Sequence, residues 1–317
     1  MTIIQDITTL VGNTPLFELK RLFGHTGVRV LAKLEMFNIM SVKDRAVMSM
    51  VTGAIAEGKI KPGTEVVEAS SGNTAIALAL LASRYGFTLR AYMSESTGVE
   101  RRQILCAYGA KVILTPAAEH TRGARDRAIR YCEQHPDTTF FLNQHGNPNN
   151  GRAHITTTGP EIWAATEGNL DAMLIGLGTG GTFEGLSTYL KGKKPSIRIV
   201  GFEPATSPVY AGGKQGEHHL IGIGPGFVTE NFQRARANMD EILHIEDDAA
   251  YAMVRRIARE EGLLVGPTSG AAAVAAEKLI ARDGLRGQTI GLIFYDTGER
   301  YLNVKGLFPA DTVEFEP

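Results

Sequence analysis

The chain has 317 residues, of which 43% are hydrophobic and 21% charged, and its formal net charge is -1. This length is sufficient for two domains, and the near-neutral charge gives no electrostatic basis for binding nucleic acid or an anionic membrane surface. No apolar run is long enough to span a bilayer, and the N-terminus lacks the basic and apolar regions of a signal peptide. Two cysteines, Cys106 and Cys132, form neither a metal-ligand nor a CxxC spacing. We therefore expect a cytoplasmic protein without a metal site.

Short apolar runs alternate with helical patterns from residue 28 onward. In the first half, strands are predicted at 28–34, 65–69, 88–93, 111–114 and 139–142, with helices at 74–85, 99–108 and 121–133. In the second half, strands are predicted at 172–176, 197–203 and 289–295, with helices at 181–190 and 270–281. This alternation predicts an α/β protein with largely parallel sheets covered by helices on both faces.

Two such series of strands indicate two doubly wound domains. The run GNPNNG at 146–151 consists of turn formers and is the best candidate for the crossover between them. A second irregular stretch, 204–227, is rich in glycine and proline. Because ligands of such sheets bind where the loops after the strands gather, we expect an active site in the cleft between the domains.

A glycine-rich loop, GLGTGGT at 176–182, follows an apolar strand and begins a helix. Glycines allow the backbone to approach a ligand closely, and the free N–H groups of a helix start can hold a phosphate. The alternative is an ordinary βα turn, and the loop alone does not decide between the two. A dinucleotide fingerprint is a poor match, because the acidic residue after the next strand, Glu203, precedes a proline.

A lysine motif, SVKDR at 41–45, contains Lys43. A lysine amine can form a Schiff base with an aldehyde cofactor and then transfer protons. A lone lysine at a helix start is more often simply solvated, so this motif gains weight only from the others.

Two further motifs precede helices, EASSGNT at 68–74 and GPTSG at 266–270. Hydroxyl and N–H groups at a helix start suit a carboxylate or a phosphate, but the same residues are common helix caps. Each motif is weak alone, whereas their joint presence in this order favours a ligand-binding function.

With these motifs the sequence resembles the fold-type II pyridoxal-phosphate enzymes, specifically the cysteine synthases (O-acetylserine sulfhydrylases). The resemblance covers nearly the whole chain and includes VGNTPL, SVKDRA, SSGNTAIALA, TTTGPEIW, GLGTGGTFEG, GIGPGF and TGERYLN. It implies a fold like the tryptophan synthase β-subunit. It also implies a smaller, mobile domain at 36–148 and a larger, phosphate-binding domain made of 1–35 and 149–317.

The resemblance implies a role for each matching residue. Lys43 matches the lysine that carries pyridoxal phosphate as an imine, Asn73 matches the asparagine that hydrogen-bonds its 3'-oxygen, and Thr268 matches the hydroxyl residue that faces its pyridine nitrogen. The residues that match the phosphate cradle are Gly178, Thr179, Gly180, Gly181 and Thr182. The residues that match the substrate-binding positions are Ser70, Ser71, Gly72, Thr74, Gln144 and Gly222.

The implied activity is formation of L-cysteine from O-acetyl-L-serine and sulfide. A hydroxyl partner leaves the pyridine nitrogen largely unprotonated, which favours β-elimination over transamination. In the family pattern, Lys43 removes the α-proton as general base, the β-substituent departs to give an aminoacrylate, and the nucleophile adds. Binding of the substrate carboxylate would close the smaller domain and exclude water.

The chain departs from the family pattern beside the lysine motif. The segment EMFNIMS at 35–41 lacks the usual proline and is one residue shorter. The donor and nucleophile therefore stay open, and O-phosphoserine, thiosulfate, cyanide, homocysteine and ammonia are alternatives. A nucleotide-binding dehydrogenase is disfavoured by Lys43 and Asn73 in their contexts.

Partners follow from the same resemblance. Members of the family are usually homodimers, and some bind the C-terminal tail of serine acetyltransferase in the active-site cleft. The chain could therefore act as a binding partner of such a tail, with or without catalysis.

Overall fold

The computed structural model of the chain describes residues 3–70 and 72–308. Within these residues ten strands are found: β1 Leu16–Glu18, β2 Arg29–Leu34, β3 Glu65–Ala69, β4 Thr88–Ser94, β5 Lys111–Thr115, β6 Thr139–Phe141, β7 Ala172–Gly176, β8 Arg198–Pro204, β9 Glu241–Ile245 and β10 Thr289–Phe294. The α-helices of the same part of the chain are α1 Lys20–Phe23, α2 Lys43–Ala56, α3 Asn73–Tyr85, α4 Val99–Ala107, α5 His120–Gln134, α6 Pro148–Ala153, α7 Gly159–Ala165, α8 Gly181–Lys193, α9 Glu230–Ala235, α10 Asp247–Glu261 and α11 Pro267–Asp283.

The strands form two sheets. The larger has the order β1-β2-β10-β7-β8-β9 and the smaller has the order β5-β4-β3-β6. Every neighbouring pair is parallel except β1 and β2, which are antiparallel. Only ten residues, 19–28, connect β1 to β2, which is shorter than the dozen or more that a parallel crossover needs. The predicted α/β class with mostly parallel sheets is confirmed.

Each sheet has its own core. In the smaller sheet, Val66 packs on the face covered by α2 and α3, whereas the next residue, Val67, packs on the face covered by α5. In the larger sheet, β10 is buried along its whole length and α11 packs on it. The side chains on α11 are small because α10 passes close by, and a Cβ at Gly270 would stand 2.4 Å from the Ala250 carbonyl oxygen.

The strands of each sheet fall within the residues expected for one domain, while the division at 36–148 stays a prediction. The expected crossover at 146–151 is only partly a turn, because α6 begins inside it. Asn147 caps that helix by accepting a hydrogen bond from the Asn149 backbone N–H, and Pro148 occupies the first turn, where no amide donor is needed.

Within residues 3–70 and 72–308, no helix combines the length and apolar character that crossing a membrane requires.

Candidate active site

A cleft lies at the carboxyl ends of β7 and β10, bordered by the first turns of α2, α3 and α8. The space between these elements is about 400 Å³ when the open solvent at its mouth is counted. The predicted residues that line it are Lys43, Asn73, Gly178, Thr179, Gly180, Thr182, Gly222 and Thr268. The lining residues outside the predicted set are Val42, Gly176, Ile223, Tyr295 and Asp296.

Lys43 is the first residue of α2. Its backbone N–H donates to Ser41 Oγ at 3.2 Å, and the preceding Val42 N–H donates to the Tyr295 carbonyl at 2.9 Å. The end of β10 therefore fixes where α2 begins. The cleft leaves part of the Lys43 side chain open, yet desolvation lowers the pKa of its amine to about 8, against the attraction of the Asp296 carboxylate. Such an amine is available as a nucleophile and a base near neutral pH.

The glycine loop presents the start of α8 to the cleft. Gly180 has φ +80°, and a Cβ there would stand 2.6 Å from the Phe232 nitrogen, so glycine is required. Tyr210 Oη donates to the Gly178 carbonyl at 2.6 Å, and Asn150 Nδ2 donates to Thr179 Oγ1 at 3.2 Å. Among the described residues, no side chain caps the start of α8. Its first N–H groups are thus available to an anion.

The loop predicted to bind the substrate carboxylate is partly described. Ser71 lies outside the described residues. Thr74 Oγ1 donates to Gln144 Oε1 at 2.6 Å, so these two predicted residues are brought together, although neither lines the cleft. Ser70 and Gly72 also lie away from the lining, and Ser70 Oγ accepts the Gly72 N–H at 3.3 Å.

The buried carboxylate of Glu68 fixes this loop through hydrogen bonds to the backbone. It accepts hydrogen bonds from the backbone N–H groups of Ala69, at 2.9 Å, and Gln144, at 3.1 Å. Desolvation raises the pKa of Glu68 to about 7, although these bonds and nearby Arg125 act to lower it. Glu68 thus ties the end of β3 to the turn that carries Gln144.

Asp296, which the sequence did not single out, connects the two sides of the cleft. Its Oδ2 accepts from Asn73 Nδ2 at 2.6 Å and from the Tyr301 hydroxyl. Burial raises the pKa of this carboxyl. Its place two residues after the end of the apolar strand β10 is the one sequence signal that could have indicated it, because ligand-binding residues of parallel sheets follow strand ends.

A buried ion cluster, consisting of Lys33, Glu35, Arg45 and Glu161, lies behind Lys43. Arg45 Nε is 2.6 Å from Glu35 Oε2, Arg45 Nη1 is 2.7 Å from Glu161 Oε1, and Lys33 Nζ is 2.6 Å from Glu161 Oε2. Burial acts to raise the pKa of Glu161, but hydrogen bonds from Arg45 and Lys33 bring it down to about 2. Two positive and two negative charges balance here. The cluster joins the ends of β2 and α7 to the first turn of α2.

The residues present fit a phosphate-bearing aldehyde. An amine of lowered pKa borders the cleft, and an uncapped helix start in a glycine loop borders it as well. The first can form an imine and the second can hold a phosphate. The shortened segment 35–41 contributes no lining residue.

Comparison with known proteins agrees with this chemistry. Residues 7–296 match the family model described as pyridoxal-phosphate dependent enzyme. A cysteine synthase of Staphylococcus aureus (strain Mu50 / ATCC 700699) is 41% identical over 302 residues, which cover 95% of this chain and 96% of the relative. The crystal structure of a cysteine synthase (OASS) from Entamoeba histolytica superposes with a TM-score of 0.92 at 37% identity, covering 100% of this chain and 93% of that one. The crystal structure of an O-ureido-L-serine synthase superposes with a TM-score of 0.93 at 35% identity, covering 99% of this chain and 98% of that one.

Proposed function

This chain belongs to the pyridoxal-phosphate dependent enzymes, and from that premise we propose that it makes L-cysteine and acetate from O-acetyl-L-serine and sulfide. The observation that carries the proposal is that Lys43 and the glycine loop border the same cleft. The 41% identity to a cysteine synthase over nearly the whole of both chains supports the choice of reaction.

The proposed cofactor-binding residues are Lys43, Asn73, Gly178, Thr179, Gly180, Gly181, Thr182 and Thr268. The start of α8 would hold the phosphate, and the Asn73 amide, oriented by Asp296, would meet the polar edge of the ring. When bound, pyridoxal phosphate supplies an electron sink for negative charge at the substrate α-carbon. The chain's own contribution is to place the groups that bind and transfer protons around it.

Lys43 Nζ is the proposed general base. Its pKa of about 8 means that the amine can lose or hold a proton near neutral pH, which suits removal of the α-proton and return of a proton after the nucleophile adds. Ser70, Ser71, Gly72 and Thr74, with Gln144, would bind the substrate carboxylate, and Gly222 would leave room beside it. The Thr74–Gln144 bond would hold this loop in one conformation.

The decisive experiment combines an absorbance spectrum with product analysis. The purified protein should show a visible band with pyridoxal phosphate and should convert O-acetyl-L-serine and sulfide to cysteine. Lys43→Ala should lose both properties, whereas Lys59→Ala, which removes an exposed lysine that pairs with Glu57, should keep both. A wild-type protein that neither gains the band nor forms cysteine would reject the proposal.

The alternative is β-replacement with another donor or nucleophile. It is favoured by the close superposition with an O-ureido-L-serine synthase, which shows that this scaffold also serves a different product. Incubation of the enzyme with O-acetyl-L-serine or O-phosphoserine, each with sulfide, thiosulfate, cyanide, homocysteine or ammonia, should give cysteine from the first donor and sulfide at the highest rate. A faster reaction with any other combination would replace the proposed substrates.

We also propose that the protein is a cytoplasmic homodimer. The N-terminal residues Ile3, Ile4, Ile7 and Leu10 expose apolar side chains in one short segment, which supports burial in an interface. Light scattering should give twice the chain mass for wild type and a smaller mass for an Ile7→Ser, Leu10→Ser variant.

Binding of a serine acetyltransferase tail is a separate proposal. A C-terminal peptide ending in isoleucine should compete with substrate, and a peptide that fails to bind the active enzyme would reject it.

A further inference from the structure

Two buried side chains, Asn150 and Asn231, join the turn after β6 to the glycine loop, and we call this pair the asparagine bridge. Asn150 Nδ2 donates to the Gln144 carbonyl at 2.7 Å and to Thr179 Oγ1 at 3.2 Å. Asn231 Nδ2 donates to the same Gln144 carbonyl at 2.8 Å and to the Thr179 carbonyl at 2.9 Å. Neither asparagine is more than 2% exposed. Each NH₂ group therefore connects a residue predicted to bind the substrate carboxylate with a residue predicted to bind the cofactor phosphate.

The partners of these two amides determine their orientation. A carbonyl oxygen only accepts hydrogen bonds, so the atom of each side chain that faces Gln144 has to be the amide nitrogen. The opposite end of the Asn231 amide is fixed as well, because its Oδ1 accepts from Arg234 Nη2. Turning either amide would leave buried polar groups without partners, which is unfavourable. The asparagine bridge is therefore a stiff connection.

The asparagine bridge connects the two sheets. Gln144 lies three residues after β6 of the smaller sheet, and Thr179 lies three residues after β7 of the larger sheet. Gln144 is also held to the smaller sheet, because its backbone N–H donates to Glu68 at 3.1 Å and its side-chain nitrogen donates to the Ala69 carbonyl at 3.3 Å. A displacement of the glycine loop is thus transmitted through buried hydrogen bonds to the turn that carries Gln144.

The bond from Asn150 leaves the hydroxyl of Thr179 as a donor. Thr179 lines the cleft, and its hydroxyl proton has no acceptor within residues 3–70 and 72–308. The phosphate of a bound cofactor accepts hydrogen bonds, so it is a suitable partner for this proton. A phosphate held by Thr179 would restrict the glycine loop, and through the asparagine bridge it would also restrict the turn that carries Gln144.

We propose that Asn150 and Asn231 are positioning residues that couple the two halves of the site, so that a phosphate on the glycine loop strengthens carboxylate binding at the Gln144 turn. Binding of cofactor and substrate at these two places, which the proposed function also requires, is the premise. The physical reason is conformational entropy: a phosphate that orders Thr179 also orders Gln144, so the carboxylate that binds next loses less freedom. Because coupling between two sites is reciprocal, a bound carboxylate should also strengthen the binding of the phosphate.

The test measures carboxylate affinity with and without the phosphate. The protein is saturated with pyridoxal phosphate or with pyridoxal, which lacks the phosphate, and borohydride then fixes either compound to Lys43. Both forms are titrated with propionate at constant ionic strength and followed by the fluorescence of the reduced ring, with propionamide as the uncharged control. The informative quantity is the ratio of the two affinities, because direct repulsion between phosphate and carboxylate is the same in every variant.

Asn150→Ala and Asn231→Ala each remove one half of the asparagine bridge. In each variant the preference of propionate for the phosphate-bearing form should fall by at least about 5-fold relative to wild type, the lower end of typical couplings between sites. The matched control is Asn238→Ala, which removes a half-buried amide that donates to Ser187 Oγ of α8 at 3.3 Å and lies outside the bridge. This control should keep the wild-type ratio.

A folded asparagine variant that keeps the wild-type ratio would overturn the inference, and so would an equal fall of the ratio in Asn238→Ala. Hydrogen exchange in wild type decides the matter if neither asparagine variant folds. The backbone amides of residues 143–147 should exchange more slowly in the phosphate-bearing form than in the pyridoxal form, and equal rates would overturn the inference. If wild type retains neither compound, the proposed function fails as well, whereas retention of both with the wrong ratios rejects the inference alone.

Discussion

The Glu35→Gln substitution removes one negative charge from the buried ion cluster while keeping the size of the side chain. Glu35 is fully buried, and its two oxygens accept from Arg45 Nε at 2.6 Å, Arg45 Nη2 at 2.9 Å, Thr14 Oγ1 at 2.7 Å and Asn38 Nδ2 at 2.9 Å. A glutamine offers one acceptor oxygen and turns an NH₂ group toward donors. The cluster would also carry an unbalanced positive charge.

The expected cost follows from this burial. Removing one partner of a buried ion pair costs about 3–5 kcal/mol, a large share of the roughly 5–15 kcal/mol that holds a typical domain folded. The matched control is Glu277→Gln, which breaks the pair with Arg256 at 3.0 Å on the surface, where the two side chains are 53% and 42% exposed. An exposed pair contributes only about 0–1 kcal/mol.

Urea titration followed by circular dichroism measures both free energies of unfolding. Glu35→Gln should lose several times more stability than Glu277→Gln. It should also bind pyridoxal phosphate more weakly, because Arg45 and Lys43 share the first turn of α2. Equal losses in the two variants would show that the cluster's charges are effectively solvated, and the structural reasoning would be wrong.

Three further outcomes are expected. Asp296→Asn should lower the pKa of Lys43 below about 8, because the Asp296 carboxylate stabilises the Lys43 ammonium. The pH midpoint for the reaction of apo-protein with pyridoxal phosphate should therefore fall. An unchanged midpoint would contradict this. Gly181→Ala should weaken cofactor binding, because the added Cβ would stand 1.9 Å from the buried Asn150 Oδ1. The control is Gly192→Ala in the same helix, whose Cβ would have no atom within 4 Å; this variant should raise the free energy of unfolding by about 0.5–1 kcal/mol. The pKa of Glu68 is raised on folding, so its contribution to the free energy of unfolding is complete below about pH 4.5 and is lost as the pH rises through about 7. Glu68→Gln should therefore reduce the change in unfolding free energy between these two pH values by up to about 3 kcal/mol. An unaltered dependence of unfolding free energy on pH would show that Glu68 does not titrate there.

Eight of the ten strands in the described residues were predictable because each of these eight is a short apolar run with turn formers on both sides, whereas β1 and β9 were not predicted. Prediction and structure agree to the residue for β3 and β7 and to within one residue for β4 and β10. The three-residue strand β1 is too short to show a period. The helix α10 was missed although its signals were present: Asp247 and Asp248 occupy its first turn, and Gly262 follows its end with φ +74°.

The lining of the cleft was predictable where one motif carries both position and chemistry, as at Lys43 and Gly180. It was not predictable where contacts join distant segments. Asn73 and Asp296 are 223 residues apart in sequence, and the direction in which the Thr268 hydroxyl donates depends on where the Ile221 carbonyl lies in the fold. Periodicity and local composition contain no information about such pairs, because tertiary packing alone brings them together.

The position of β10 between β2 and β7 sets the order in which the protein can be built on the ribosome. The strands of the smaller sheet are contiguous from residue 65 to 141 and can pair while the chain is still growing. β2 is made early, but its parallel neighbour β10 spans residues 289–294 and can pair with it only after those residues have been made. Until then the Val42 N–H lacks the Tyr295 carbonyl that anchors the start of the Lys43 helix. We therefore expect the coenzyme to be acquired only after β10 has paired with β2.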